Sequence, residues 1–263
     1  MTFQPVLPQS GYAGWGFLKR TITTQQTAQQ AAPANQRDEA YFREKIGKID
    51  TADQLVADKR LLRITLTAFG LEGDVNSGAF IKKVLSDGTL KEGTLSSRLA
   101  NKQYEKLSAT FGFGDFTVPR NKLSDFPDKI LSQFRTQQFE AAVGAQNNTY
   151  RLALNAEREL PAIAKQSLSD TGKWYTILGN PPMRQVFQTA LGLPKSFAAI
   201  DLDQQVKVLK SRTEAAFGSD SVGQFSDPKK MEALTRRFLL RSDVQDVSAA
   251  TTPAAMALQL LRR

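Results

Sequence analysis

The strongest constraint on this chain is that part of it is written twice. The block LVADKRLLRITLTAFGL at residues 55–71 lies over ILGNPPMRQVFQTALGL at residues 177–193 at a constant offset of 122. Thr67, Ala68, Gly70 and Leu71 recur as Thr189, Ala190, Gly192 and Leu193, and Val84 recurs as Val206. Farther along, Lys102, Glu105, Leu107 and Phe111 recur as Lys229, Glu232, Leu234 and Phe238 at an offset of 127, a difference that a five-residue insertion explains. Two blocks in the same order describe a shared unit of helix, glycine stop, helix, loop and helix.

The hydrophobic period supports that unit. Leu55, Leu62, Leu66 and Phe69 fall at i, i+7, i+11 and i+14, which predicts one apolar stripe along a single helix. Thr51 to Gln54 reads as a capping box at its start. Gly70 stands where a left-handed C′ residue would end it, with Leu71 and Leu66 as the apolar pair of a Schellman motif. In the second copy Pro181 and Pro182 replace Lys59 and Arg60, so the corresponding helix is expected to lose its first turns or to start later. Upstream, Tyr41, Phe42, Ile46 and Ile49 share a helical face. Further helices are expected over 77–85 and 95–111, followed by a loop in which Phe111, Phe113 and Phe116 turn into the core. A long helical stretch follows over 128–160, closed by Pro161, with Gly144 and the Asn147–Asn148 pair as points that bend or divide it.

No run alternates with period 2 over enough residues to demand a sheet. The expected fold is all-α: a first helical unit at 37–127, a long connecting helix at 128–160 and a second, related unit at 161–263. Residues 1–36 read as a flexible N-terminal tail. Pro5, Pro8, Gly11, Gly14 and Gly16 interrupt any period there, and TITTQQTAQQAAPANQ at 21–36 is too polar to offset chain entropy. Within the tail, Tyr12, Trp15, Phe17 and Leu18 form a small apolar cluster. Two readings stand open: it folds back onto the body, or it anchors a partner.

Composition narrows the chemistry more than it names it. The chain of 263 residues has no His and no Cys. That excludes a Ser-His-Asp triad, an imidazole-ligated metal or haem, a thiol nucleophile, a disulfide framework and an iron–sulfur cluster. The formal net charge is +9, and the two halves carry +4 and +5, so the excess is spread evenly. The densest basic stretch, Lys229, Lys230, Arg236, Arg237 and Arg241, still contains Asp227 and Glu232 and reads as a solvated helix face. No segment approaches the ~20 apolar residues of a membrane-spanning helix. The first eighteen residues have no basic n-region and are broken by Pro and Gly, so no Sec-type signal peptide is expected.

No catalytic, metal-binding or cofactor-binding constellation emerges. Gly112-Phe113-Gly114 lacks the rest of a dinucleotide fingerprint and follows a helix. Asp50, Asp53 and Asp58 with Glu44 read as caps and a solvated face. Glu72, Asp74, Asn76 and Ser77 lack the rhythm and the twelfth-position Glu of a calcium loop. No cofactor and no small-molecule substrate are expected, and nucleic acid is disfavoured because no RNP-like strand or short helix-turn-helix with a basic recognition helix occurs.

A resemblance adds what the chemistry does not. Gly14-Trp15-Gly16-Phe17-Leu18 with Thr21 and Gln25, Tyr41-Phe42-Arg43, Asp58-Lys59-Arg60-Leu61-Leu62 and Ala68-Phe69-Gly70-Leu71 together resemble a domain-of-unknown-function family of Gram-negative bacteria whose genes lie among flagellar genes. The runs 80–85 and 98–102 and Phe111-Gly112-Phe113 match as well, so the likeness covers most of residues 12–116. The resemblance implies a helical, non-enzymatic protein of flagellar assembly or motility, with flagellar protein components as partners. It would be cytoplasmic or exported to the flagellum. A cytosolic export chaperone or regulator is the second expectation, and a nucleic-acid-binding regulator acting through the basic stretch is the third. The side chains expected to meet a partner are Tyr12, Trp15, Phe17, Leu18, Phe42 and Phe69.

Overall fold

The computed structural model describes residues 3–250, with side chains as far as residue 244. Among the described residues there is no strand, and the fold is all-α. The chain forms α1 (Gly11–Ala31), α2 (Pro33–Lys45), α3 (Ala52–Ala57), α4 (Lys59–Ala68), α5 (Gly78–Asp87), α6 (Leu95–Arg98) and α7 (Gln103–Phe111). It continues with α8 (Phe126–Gln146), α9 (Asn148–Ala164), α10 (Asp170–Leu178), α11 (Pro181–Ala190), α12 (Leu202–Phe217) and α13 (Pro228–Ala250). No helix of the described residues is long and apolar enough to cross a membrane.

The chain divides into two compact units. One comprises residues 1–6 and 20–143, the other 7–19 and 144–263. In the first, α4 is the central helix: Leu61, Leu62, Ile64, Thr65, Leu66, Thr67 and Ala68 are all buried. Phe42 and Ile46, Leu55, Ile81 and Leu85, Leu107 and Phe111, and Ile130, Leu131 and Phe134 of α8 close around it. In the second unit α9 packs on α11 and α13. Trp174, Phe187, Phe225 and Phe217 form a run of edge-to-face rings there, with successive centroids 5.2, 5.5 and 5.4 Å apart.

The repeat is physical as well as textual. At the offset of 122, α4 over 59–68 falls on α11 over 181–190, residue for residue. Both helices open on a polar N-cap. Asp58 accepts from the backbone N–H groups of Arg60 and Leu61 at 3.0 and 2.9 Å, and Asn180 accepts from that of Met183 at 3.2 Å. Both end in the anticipated Schellman motif. Leu71 N–H donates to the Leu66 carbonyl at 2.8 Å and Gly70 N–H to Thr67 at 3.0 Å; Leu193 and Gly192 repeat this to Gln188 and Thr189 at 2.9 and 3.0 Å. Gly70 and Gly192 have φ of 69° and 66°, the left-handed region where a Cβ costs about 1–2 kcal/mol.

The prolines do not shorten the second copy. Pro181 and Pro182 open α11, where a backbone N–H has no helical partner to lose, and α4 starts at the same place. The single helix expected over 55–69 is therefore two, α3 and α4, because Asp58 caps the second one and breaks the first. Thr51 caps α3 as expected, its hydroxyl accepting from Gln54 N–H at 3.3 Å. The Gln54 side chain accepts from Asp50 N–H at 2.6 Å rather than from Thr51 itself.

Three further expectations are corrected. Residues 3–10 have no regular secondary structure, but from Gly11 the chain is helical, and the segment 21–31 completes α1. Its amides act as structural groups. Gln25 pairs with both backbone groups of Val6, accepting at 2.8 Å and donating at 3.1 Å, and is buried. The connecting helix of 128–160 is divided at Asn147, one of the points anticipated for it, whose side chain accepts from Tyr150 N–H at 3.0 Å and starts α9. Residues of α8 up to Val143 belong to the first unit and α9 to the second. Pro161 does not close the helix, which runs on to Ala164. Finally, Phe111 is buried and Phe113 packs against the core, but Phe116 is exposed with the Arg120 guanidinium 4.6 Å from its ring centroid.

The two helix starts are not equal. Asp58 also accepts the Tyr41 hydroxyl at 2.7 Å. We expect Asp58→Ala to lose roughly 2 kcal/mol and Asn180→Ala about 1 kcal/mol in urea unfolding. Equal losses would show that the second contact contributes nothing.

Candidate functional site

The six side chains anticipated as partner contacts divide by burial. Trp15, Leu18, Phe42 and Phe69 are 5%, 0%, 0% and 5% exposed, so they are core residues and offer a partner no surface. Tyr12 and Phe17 are partly buried. The reason is the local packing of the α1 start in the second unit. The Trp15 ring lies 5.9 Å from that of Tyr150, whose hydroxyl donates to the Gly11 carbonyl at 2.7 Å and the Gln9 carbonyl at 3.1 Å. Gly14 sits in the same turn, where a Cβ would run into the Gln9 carbonyl oxygen and the Tyr150 hydroxyl. Lys19 closes the cluster from outside, pairing with Glu157 at 2.5 Å and lying 5.7 Å from the Trp15 centroid. The cluster folds back onto the body.

Asp50, Asp53, Asp58 and Glu44 are dispersed among separate partners. Asp50 pairs with Lys122, Asp53 with Lys82, and Glu44 with Lys45 and Lys48, while Asp58 is a helix cap. Asp74 accepts the Tyr104 hydroxyl at 2.6 Å; burial, then that hydrogen bond, pushes the phenol up to about 12. No group of three or more acidic side chains among the described residues is placed to hold a metal ion. Gly112 is the left-handed C-cap of α7, and Gly114 passes close to the backbone of Ser86 and Gly88, so the Gly-Phe-Gly run is a packed loop.

Several of the ionisable groups that depart from ordinary behaviour hold helices together. Asp38 of α2 accepts from Arg60 Nε at 2.8 Å and from Arg63 at 2.5 Å. Its burial works against the charge, but the hydrogen bonds and charges of Arg63 and Arg60 outweigh that and hold its carboxyl below the ordinary 3.8. Next to it, Glu39 takes a bidentate pair from Arg135 of α8, which raises the arginine. Tyr41 completes the edge, with Arg60 4.5 Å from its ring centroid. Asn121, which no sequence pattern marks, donates to the carbonyls of Ile46 and Ile49 at 2.7 Å each.

The basic stretch of the second unit is likewise partly structural. Lys230 donates to the Phe217 carbonyl at the end of α12, at 2.5 Å, and Arg237 Nε donates to the Ala190 carbonyl at the end of α11, at 2.8 Å. Cations at helix C-termini are favoured by the orphan carbonyls and the dipole. Arg236 stacks 5.6 Å from the Tyr12 ring centroid. On the same side as Arg236, α13 also carries Leu240 and Val244 at 47% and 66% exposure, with Lys229, Glu232, Ala233 and Asp243. This mixed apolar and cationic face is the candidate site. Its basic half was visible in the sequence. The apolar half was not, since Leu240 continues a run of core residues and only packing tells it apart from Leu239.

Comparison with known proteins places the fold without naming an activity. A family model described as "Protein of unknown function (DUF1217)" matches residues 68–231. A crystal structure of a protein from Agrobacterium tumefaciens is similar over 92% of this chain and 97% of that chain, with a TM-score of 0.74 and 26% identity. No curated protein matches the sequence.

Two outcomes test this partition of the surface. Trp15→Ala and Phe42→Ala should each destabilise by about 3–5 kcal/mol as core truncations, whereas Leu240→Ala should stay within about 0.5 kcal/mol. Because the folded-state Asp38 titrates below 3.8, its ionised form stabilises the fold above that pH, and the contribution is lost as pH falls through the lowered value. Asp38→Asn should therefore be less stable than the wild type at pH 7, with the difference closing in acid well below 3.8. A gap that is constant with pH would rule out the charge as its source.

Proposed function

We infer that this chain, which belongs to the DUF1217 family of proteins of unknown function, is a non-enzymatic interaction protein of the bacterial flagellum that works by docking helix faces onto another flagellar component. The flagellar part of this reading comes from the family resemblance of the sequence. The docking part rests on one observation: α13 presents exposed Leu240 and Val244 in line with cations, while Asp38, Glu39, Asp58 and Tyr104 are engaged in tying helices together. Large apolar side chains left outside, beside charged ones that steer encounter, are what a protein partner reads. Membership of the assembled flagellum or of its export route follows from the same reading, and either places the partner among flagellar proteins.

A regulator that binds nucleic acid through the basic stretch is the weaker alternative. Lys230 and Arg237 already donate to carbonyls, which leaves fewer cations for phosphates.

Deletion of the gene in its flagellated host tests the proposal. Swimming in soft agar and the number or length of filaments should fall, and the wild-type gene in trans should restore them. Normal swimming and normal filaments in the deletion strain would refute it.

A further inference from the structure

The start of α1 is built into the second unit although the rest of the helix is not. Residues 7–19 belong to that unit, while residues 1–6 before them and 20–31 after them belong to the first. The excursion is closed at its base, where the Val6 N–H donates to the Gln25 side chain at 2.8 Å and the Val6 carbonyl accepts from it at 3.1 Å. Within the second unit Trp15 and Leu18 are buried. The Tyr150 hydroxyl donates to the Gly11 carbonyl at 2.7 Å, Lys19 pairs with Glu157 at 2.5 Å, and Arg236 lies 5.6 Å from the Tyr12 ring centroid. A Cβ on Gly11 would meet the Asp243 carboxylate, so α13 borders the segment as well as α9.

The first unit repeats this arrangement in reverse. α8 leads the second copy of the repeat as α1 leads the first, at an offset of 115 that also sets Tyr150 of α9 on Asn35 of α2. Yet α8 as far as Val143 belongs to the first unit, with Phe126, Ile130, Leu131 and Phe134 in its core. Asn35 accepts from Gln138 of α8 at 3.0 Å, and Glu39 of α2 pairs with Arg135 of α8. Each copy of the repeat therefore receives the start of the other copy's leading helix, and the equivalent positions Asn35 and Tyr150 help to hold it. A repeat is complete only when another repeat lends it a helix.

We propose that residues 7–19 are an exchangeable segment through which two copies of this chain join, each second unit seating the segment of the other copy in place of its own. The exchange needs no new interface. Every contact of the seat is kept, and only the chain that supplies Trp15, Leu18 and Lys19 changes. Two seats and two segments satisfy each other, so assembly closes at the dimer. A chain's own segment holds its seat by a high effective concentration, which favours exchange where many chains fold together.

The seat fits this segment in detail. Position 14 has to be glycine, because a Cβ there would run into the Gln9 carbonyl oxygen and the Tyr150 hydroxyl, and position 19 has to meet the Glu157 carboxylate. The sequence also places a hinge where exchange needs one. Just past Lys19, Thr21-Ile22-Thr23-Thr24 is a run of β-branched residues, which lose side-chain freedom in a helix. The equivalent stretch of α8 is Thr136-Gln137-Gln138-Phe139. On the other side of the segment, residues 3–10 have no regular secondary structure and carry Pro5 and Pro8.

The test uses the full-length wild-type chain. Equal amounts of ordinary and heavy-nitrogen protein are unfolded together in urea, refolded at high concentration and separated by size exclusion. A zero-length carbodiimide then joins the Lys19 amine to the Glu157 carboxylate across their ion pair, and mass spectrometry of that peptide reads which chains were joined. A dimer fraction that grows with concentration is expected. Its Lys19–Glu157 crosslinks should be mixed-label as often as same-label, and those of the monomer should be same-label throughout. Absence of a dimer, or a dimer with same-label crosslinks alone, would overturn the proposal.

Thr23→Ala with Thr24→Ala changes two exposed side chains and stiffens the hinge. At the same protein concentration it should lower the dimer fraction about fivefold. An unchanged or larger fraction would overturn exchange at this hinge. The inference stands apart from the flagellar reading, which the deletion strain tests by itself.

Discussion

Each unit depends on ending its central helix cleanly. A helix buried along most of its length, as α4 is, still leaves orphan N–H and C=O groups at its two ends. They must be satisfied by the protein, within a residue or two, or the burial of Leu61, Leu62, Ile64 and Leu66 costs more than it gains. Asp58 serves the start and the Gly70–Leu71 turn the end. In α11 the same positions do the same work, with Asn180 at the start, Gly192–Leu193 at the end and Arg237 on the Ala190 carbonyl besides. The residues that recur most faithfully between the copies are those that end the helix: Thr, Ala, Gly and Leu at 67, 68, 70 and 71.

Seen from the elements, the duplication extends beyond the part visible in the sequence. α1 and α8 are each 21 residues long and start at 11 and 126; α2 and α9 follow them at 33 and 148, at the same offset of 115. Little sequence identity survives there. The pattern persists because a helix lying on another needs only an apolar stripe, whereas a helix end needs particular residues. The membership of these helices is uneven: residues 20–31 of α1 belong to the first unit and residues 11–19 to the second, while α8 lies in the first as far as Val143.

What the sequence disclosed follows the same division. The Gly70 and Gly192 stops, the Thr51 cap and the all-α class were legible, since each rests on a local rule or a strong period. The division at Asn147 was legible too, as one of the points named for it, whereas the break at Asp58 was not, because the apolar period runs through a cap when two helices abut. The polar run 21–36 misled for a different reason. Polarity was equated with exposure, yet Gln25 and Asn35 are buried, and Asn35 donates to the Gln29 carbonyl at 2.7 Å while accepting from Gln138 at 3.0 Å. An amide carries both a donor and an acceptor, so it can satisfy backbone groups inside a fold that a charged side chain could not enter. For the aromatic cluster at Tyr12–Leu18 the sequence left folding back and anchoring a partner both open. Its destination is set by Tyr150, more than a hundred residues away, and no local pattern carries that.

The candidate surface poses the opposite problem. Leu239 and Leu240 are identical by every local criterion, but one is buried completely and the other is 47% exposed. On a helix they point about 100° apart, and only the packing of α9 and α11 against α13 decides which is covered. In the first unit a glycine ends the equivalent helix before any such residue can emerge. Replacing that stop by a leucine therefore has two consequences from one change of backbone preference: the buried stripe gains Leu239, and the helix is carried on so that Leu240 emerges on its exposed side. A stability requirement explains the first. The second leaves Leu240 47% exposed, which folding alone does not require.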